Sequence, residues 1–217
     1  MADDSAVSPE MPLSVVILAG GHSKRLGRDK SLLELEGQPL LARAVQRLGT
    51  LSDDLVVVTN YAPRYESLSL AARFVPDEKP GMGSLMGIYS GVQVVRHSHA
   101  LVVACDMPFL SVPLLRYMAS LAPGYDVVVP RLGTLLEPLH AIYGKSCLPF
   151  MKELLDRGER KIVAFFHSVR VRYVKDSELD RFDPDHLSFV NVNTPQDWVR
   201  VQELLGLGTV SSRSPSV

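Results

Sequence analysis

The chemistry-bearing residues of this chain cluster where apolar runs end. After Ser14–Leu18 comes Ala19-Gly20-Gly21-His22-Ser23-Lys24-Arg25-Leu26-Gly27-Arg28-Asp29-Lys30, two adjacent glycines followed by four basic residues and a single carboxylate. Glycines let a backbone approach a ligand closely and turn its N–H groups inward, and Lys and Arg neutralise phosphate, Arg as a bidentate fork. Neither common phosphate-loop spacing applies. GxxxxGK[ST] lacks its Gly-Lys pair, and GxGxxG fails because the glycines fall at 20, 21 and 27. The competing reading is a tight turn followed by a solvated basic loop. Four basic residues directly behind a buried strand favour the anion grip.

A second apolar run, Leu101–Ala104, ends in Cys105-Asp106-Met107-Pro108. Hard cations such as Mg²⁺ are held by one or two carboxylates together with substrate phosphates, which suits Asp106, although it could instead cap the helix expected near Pro113. A third segment, Asp77–Gly91, sets a carboxylate before a glycine-rich turn and a helix of small residues. There Gly87 and Gly91 either approach a ligand or permit tight helix packing. Asn60, at the end of Leu55–Thr59, reads a base edge or opens a turn. His97 and His99 read as solvated, and His140 as a structural histidine with satisfied partners. No His/Cys/carboxylate set has zinc spacing, and no Gly-x-Ser-x-Gly elbow occurs. Cys105 as a nucleophile would need a histidine that the sequence does not locate.

The elements that position these residues follow from the hydrophobic pattern. Ser14–Leu18, Leu55–Thr59, Leu101–Ala104 and Asp126–Val129 are almost continuously apolar, as strands buried on both faces of a parallel sheet are. Leu40, Leu41, Ala44, Val45 and Leu48 recur at helical spacing. So do Trp198, Val201, Leu204 and Leu205, behind Thr194 as N-cap and Pro195 at the first helical position. Alternation of strands and helices predicts an α/β fold: three layers, a mostly parallel twisted sheet with helices on both faces. After about Arg131 the alternation loosens. An antiparallel addition is expected in the second half, with Val169–Val174 a strand outside the main run. The predicted organisation is a leader over 1–11, one domain over 12–206 and a tail over 207–217.

The 217 residues carry 23 Lys+Arg against 24 Asp+Glu, a formal charge of −1, so nucleic-acid binding through bulk positive charge finds no support. The basic loop of residues 22–30 is an island on a mildly acidic body, which suits one triphosphate better than a polynucleotide. No apolar stretch approaches the roughly 20 residues needed to span a bilayer, and Cys105 and Cys147 form no CxxC pair. The chain is expected to be cytoplasmic, without a membrane or nucleic-acid partner.

LAGGHSKRLGRDKSLLEL, residues 18–35, resembles the LAGGxSxRMGxDKxLLxL signature of the molybdenum cofactor guanylyltransferases, within the nucleotide-diphospho-sugar transferase-like superfamily. The similarity continues through GMGSLMGIYSG, VVACDMPFL, EPLHAIY and FVNVNTPQDW. It departs at Leu26, where Met is usual, and at Ser84, where proline is common. The resemblance implies a Rossmann-like nucleotidyltransferase that joins GMP from GTP to Mo-molybdopterin and releases pyrophosphate, with Mg²⁺ as cofactor. By resemblance, the Leu18-Ala19-Gly20 backbone lies against guanine, Lys30 contacts the nucleotide, and Asn60 and Asp77 lie at base and ribose. Asp106 matches the Mg²⁺ and GTP residue, and Arg25 a triphosphate contact. Arg25, Lys30 and Asp106 are the implied catalytic set. Asn191 and Asn193 match the molybdopterin side, to which Arg160 and Lys161 are weaker candidates. Transient contact with proteins that deliver molybdopterin or receive the finished cofactor follows. Cytidylyl transfer to molybdopterin, nucleotidyl transfer to a sugar or alditol phosphate, and a non-catalytic cofactor-carrier module are the alternatives.

Overall fold

The computed structural model describes residues 12–20 and 29–207. Gly21–Arg28, including Arg25, lie outside the described residues, as do the expected leader and all of the expected tail beyond Leu207. The strands are β1 (Ser14–Leu18), the hairpin β2 (Glu34–Leu35) and β3 (Gln38–Pro39), β4 (Leu55–Val58), β5 (Arg73–Val75), β6 (His99–Ala104), β7 (Val127–Leu132), β8 (Leu135–Leu136), β9 (His140–Gly144) and β10 (Val171–Lys175). The helices are α1 (Leu40–Leu48), α2 (Ser84–Val94), α3 (Val112–Ser120), α4 (Leu148–Asp156), α5 (Asp176–Leu179) and α6 (Pro195–Leu204).

The main sheet runs β10-β7-β9-β6-β1-β4-β5, with β8 paired to β7. Around β1 every pairing is parallel: Ser14–Leu18 align with Ala100–Ala104 on one side, and Val15–Leu18 with Leu55–Val58 on the other. The apolar runs are explained by burial on both faces. Val15 and Ile17 point into one layer, where Val57, Leu101 and Val103 meet Leu41 and Leu48 of α1 and Leu114 and Met118 of α3. Val16, Val56, Val58 and Val102 point the other way, to Ile88 and Val92 of α2 and Met151 of α4. With no polar face to show to water, alternation disappears from these strands. Gly91 lets α2 lie close against the sheet, because a Cβ there would collide with Val16 Cγ1.

The antiparallel addition is present. β7 turns at Gly133 into β8, and the chain then returns as β9 between β7 and β6, antiparallel to both. That connection contains no helix, and a parallel return needs a crossover of a dozen or more residues. β10 departs from the expectation, since it follows α4 and pairs in parallel with β7 at the edge of the main sheet instead of lying outside it. The stripe expected on α6 is also partial. Val201 is fully buried beside Leu33, Leu35, Leu40 and Val192, whereas Leu204 is exposed.

Three histidines differ from expectation. His97 and His99 are half-buried and bonded, the first 3.3 Å from Asp53 Oδ1 and the second 3.0 Å from the Tyr125 carbonyl oxygen. His140 is fully buried, but neither ring nitrogen has a hydrogen-bond partner among the described residues; the ring packs edge-on to Phe189, with centroids 4.9 Å apart. Burial brings its pKa down from 6.5 to about 4, only partly opposed by the charge of Asp183. Between those values an unfolded chain binds a proton that the folded one refuses, so folding stability falls as pH falls through this window. We expect His140→Leu to flatten that slope by up to about 1.4 kcal/mol per pH unit. Urea unfolding at intervals between pH 6.5 and 4 measures it, and parallel slopes for both proteins would contradict it.

Candidate active site

In an open α/β sheet the carboxyl ends of the strands leave a crevice for ligands. Here it is a cavity of about 370 Å³ whose walls include Leu18, Val58, Ala104–Asp106 and Leu139, with Asp77 following β5. β9 runs antiparallel, so its amino end joins the same rim, which is how Leu139 arrives there. The amino end of α2, at Gly83, Ser84 and Gly87, forms one wall; Asn191 and Asn193, more than a hundred residues further on, form another.

Lys30 sits at the centre. Its Nζ donates to Asp106 Oδ2 at 3.1 Å and to Asn193 Oδ1 at 2.6 Å. Both members of the ion pair are largely buried, with side chains 17% and 18% exposed, so water screens the pair less than a surface bridge. Two backbone bonds hold this arrangement: the Cys105 amide donates to Leu18 O at 3.1 Å, and the Val192 amide to Asp106 O at 2.9 Å. The second ties the C-terminal segment to the end of β6. Asp106 caps no helix, because Ser111 accepts from the Leu114 amide at the start of α3. Its Oδ1 is buried and has no hydrogen-bond partner among the described residues. One carboxylate oxygen neutralised by Lys30 and one left unpartnered is a donor set that fits a hard divalent cation shared with phosphate oxygens.

On the other side of the cavity, Asn60 Nδ2 donates to Asp77 Oδ2 at 2.9 Å while the Asp77 amide donates to Asn60 Oδ1 at 3.0 Å. The Asn60 amide is therefore spent on orienting Asp77, and Asn60 is not among the residues lining the cavity. Burial raises the Asp77 carboxyl above its ordinary value, with the Asn60 bond pulling it back. Gly87 combines both roles the sequence left open. It lines the cavity, and a Cβ on it would sit 3.2 Å from Leu18 Cδ2 and 3.6 Å from Asp77 Oδ1. Gly20 lines the cavity as well, whereas Ala19 is buried behind it and donates its amide to Val58 O at 2.9 Å. Asn191 reaches the rim, with its Nδ2 bonded to Phe189 O at 3.2 Å.

Sequence reasoning missed Ser31 and gave Asp29 no role, though both line the cavity. Asp29 Oδ1 accepts the Ser31 amide at 3.0 Å and so caps the short 3-10 turn Lys30–Leu32. The Asp immediately before Lys was the available signal. Cys105 also lines the cavity, but burial pushes its thiol up to about 12 and the nearby Asp106 charge adds to this, so it stays protonated and is no nucleophile. Both cysteines are free and buried.

A mostly parallel sheet whose carboxyl rim joins a glycine-flanked strand end to the Lys30–Asp106 pair has the layout of a nucleotide-handling transferase. The MobA-like NTP transferase domain model matches residues 15–172, and the chain belongs to that family. It is 38% identical over 187 residues to a "probable molybdenum cofactor guanylyltransferase" of Pelotomaculum thermopropionicum, covering 86% of this chain and 90% of the relative. It is 33% identical over 198 residues to the molybdenum cofactor guanylyltransferase of Desulfosudis oleivorans, covering 90% and 97%. Among solved structures, molybdopterin-guanine dinucleotide biosynthesis protein A from Archaeoglobus fulgidus superposes with a TM-score of 0.79 at 29% identity, over 90% of this chain and 100% of that one. The 2-C-methyl-D-erythritol 4-phosphate cytidylyltransferase of Thermus thermophilus shares the fold, with a TM-score of 0.67 at 17% identity over 89% and 98%. The protein is a nucleotidyltransferase. No helix among the described residues is long and apolar enough to cross a membrane.

Two substitutions test the central pair. Lys30→Ala removes the ammonium that faces the cavity beside Asp106, and hydrogen bonds to charged groups contribute about 1.5–3 kcal/mol. Calorimetric titration should therefore show nucleoside triphosphate binding weakened by about 10- to 100-fold; unchanged affinity would make Lys30 a structural residue. Asp106→Ala should abolish pyrophosphate release while circular dichroism shows the fold retained. Turnover at the wild-type rate would remove Asp106 from the reaction.

Proposed function

We propose that this enzyme transfers GMP from GTP to a molybdopterin phosphate, forming the guanine dinucleotide cofactor and pyrophosphate. The observation that carries the reading is the placement of Lys30, whose ammonium joins Asp106 at the end of β6 to Asn193 of the C-terminal segment. One cation then stands between the strand ends, where the triphosphate is read, and the segment assigned to the acceptor. The names of the relatives support the same base and acceptor for this chain.

An oxygen of the acceptor's phosphate monoester attacks the α-phosphorus of GTP, and the bond from that phosphorus to the β-phosphate bridging oxygen breaks. The acceptor is already an anion, so the reaction needs no protein nucleophile, in keeping with the protonated Cys105 thiol. The protein's work is positioning and charge neutralisation. Lys30 offsets negative charge on the phosphates, and Arg25, which lies outside the described residues, is assigned to the same task by family resemblance. Asp77, held by Asn60, and the Leu18-Ala19-Gly20 backbone bind the nucleoside. Asn191 and Asn193 face the molybdopterin. Asp106 would hold Mg²⁺ through its unpartnered oxygen, and the ion when bound would neutralise triphosphate charge. We read the protein as cytoplasmic, meeting molybdopterin-delivering and cofactor-receiving proteins transiently.

Incubation with each nucleoside triphosphate, Mg²⁺ and molybdopterin, followed by pyrophosphate measurement, tests the reading. Release with GTP alone is the expected result. Release with CTP alone would reassign the base, and GTP binding without any release would leave a carrier module.

A further inference from the structure

Tyr65 lies on the short 3-10 turn Ala62–Leu68 that follows β4, and it is only 1% exposed. Its ring stacks on Phe74 of β5, with centroids 6.1 Å apart and 13° between planes. The phenol sits between the two described segments that flank residues 21–28. Oη is 3.0 Å from Asp29 Oδ2 and 3.4 Å from the Ala19 carbonyl oxygen. The Ser31 hydroxyl lies 3.2 Å from Cys105 Sγ. A phenol has one proton to donate, and the charged, nearer acceptor takes it.

Asp29 is thereby committed at both oxygens, Oδ2 to Tyr65 and Oδ1 to the Ser31 amide of the turn that carries Lys30. Arg64 also approaches Asp29 Oδ2, at 3.6 Å, but its side chain is 55% exposed, and a long pair open to water contributes little. The buried phenol is the stronger tether.

We propose that Tyr65 is a positioning residue: its phenol fixes Asp29, Asp29 fixes the turn Lys30–Leu32, and the turn aims Lys30 at Asp106 and Asn193. The consequence for catalysis rests on the reading of Lys30 as the triphosphate cation; the geometric part does not. Burial pushes the phenol up to about 12, so it remains a donor at neutral pH.

Tyr65→Phe keeps the ring and its stacking and removes only the hydroxyl. In a crystal structure of the full-length variant, Lys30 Nζ should have left hydrogen-bond distance of Asp106 Oδ2, Asn193 Oδ1 or both. Its kcat/KM for GTP should fall about tenfold, and in a Lys30→Ala background the same change should cost less than about twofold, because the residue through which Tyr65 acts is already gone. A merely structural tyrosine would cost the same factor in both backgrounds. That result, or an unmoved Lys30, would overturn the proposal. If the wild-type protein shows no guanylyl transfer, the functional reading falls and the crystal structure alone decides the positioning role. Should Tyr65→Phe fail to fold, Asp29→Asn weakens the same link and should give the same displacement of Lys30.

Discussion

A carboxylate withdrawn from water must be neutralised, and at the heart of this protein that requirement falls on Asp106. It ends the central apolar strand β6, where the chain has just crossed a core buried on both faces, and its side chain is 18% exposed. Leaving such a charge unpaired costs several kcal/mol. Lys30 meets half of the requirement, from 76 residues away. The second oxygen is buried and has no partner among the described residues. The Lys30–Asp106 pair is therefore held in place before anything binds.

That placement needs a rigid frame, and the parallel strands β6, β1, β4 and β5 supply it. Since β1 is paired on both edges and covered on both faces, Leu18 and Gly20 meet the cavity from a fixed point. Close approach of α2, permitted by Gly87 and Gly91, brings its amino end to the same rim, where Asp77 arrives from β5. At the opposite, amino end of the strands the chain uses charge differently. Burial alone would raise the Asp54 carboxyl, but the Arg96 amide, the Ser14 hydroxyl and the Arg73 guanidinium together hold it well below the usual range. Asp54 has partners on both oxygens, whereas Asp106 Oδ1 has none among the described residues.

How far the sequence could be read depended on how local the physics was. The strands β1, β4, β6 and β7 were legible because burial on both faces leaves uninterrupted apolar runs. Helix α1 was legible because its buried residues, Leu40, Leu41, Ala44, Val45 and Leu48, follow the helical period. β10 was misplaced because its membership of the main sheet is decided by pairing with Val127–Arg131, far earlier in the chain, which no local pattern records. His140 was misjudged for a related reason. Its strand shows which way it points, but whether a partner waits there depends on Phe189 and Asp183, from a segment that arrives much later.

The sequence by itself determined the fold class, the glycine-flanked strand end with its basic neighbours, and the position of Lys30, Asp77 and Asp106 near the ends of apolar runs. These are consequences of composition and period, which are properties of short stretches. Only the tertiary structure decided which groups face which. It spent the Asn60 amide on Asp77, joined Lys30 to Asn193 across 163 residues, and set the Tyr65 phenol against Asp29. Hydrogen bonds depend on tenths of an ångström between atoms far apart in the chain, and that geometry exists only once the core has closed.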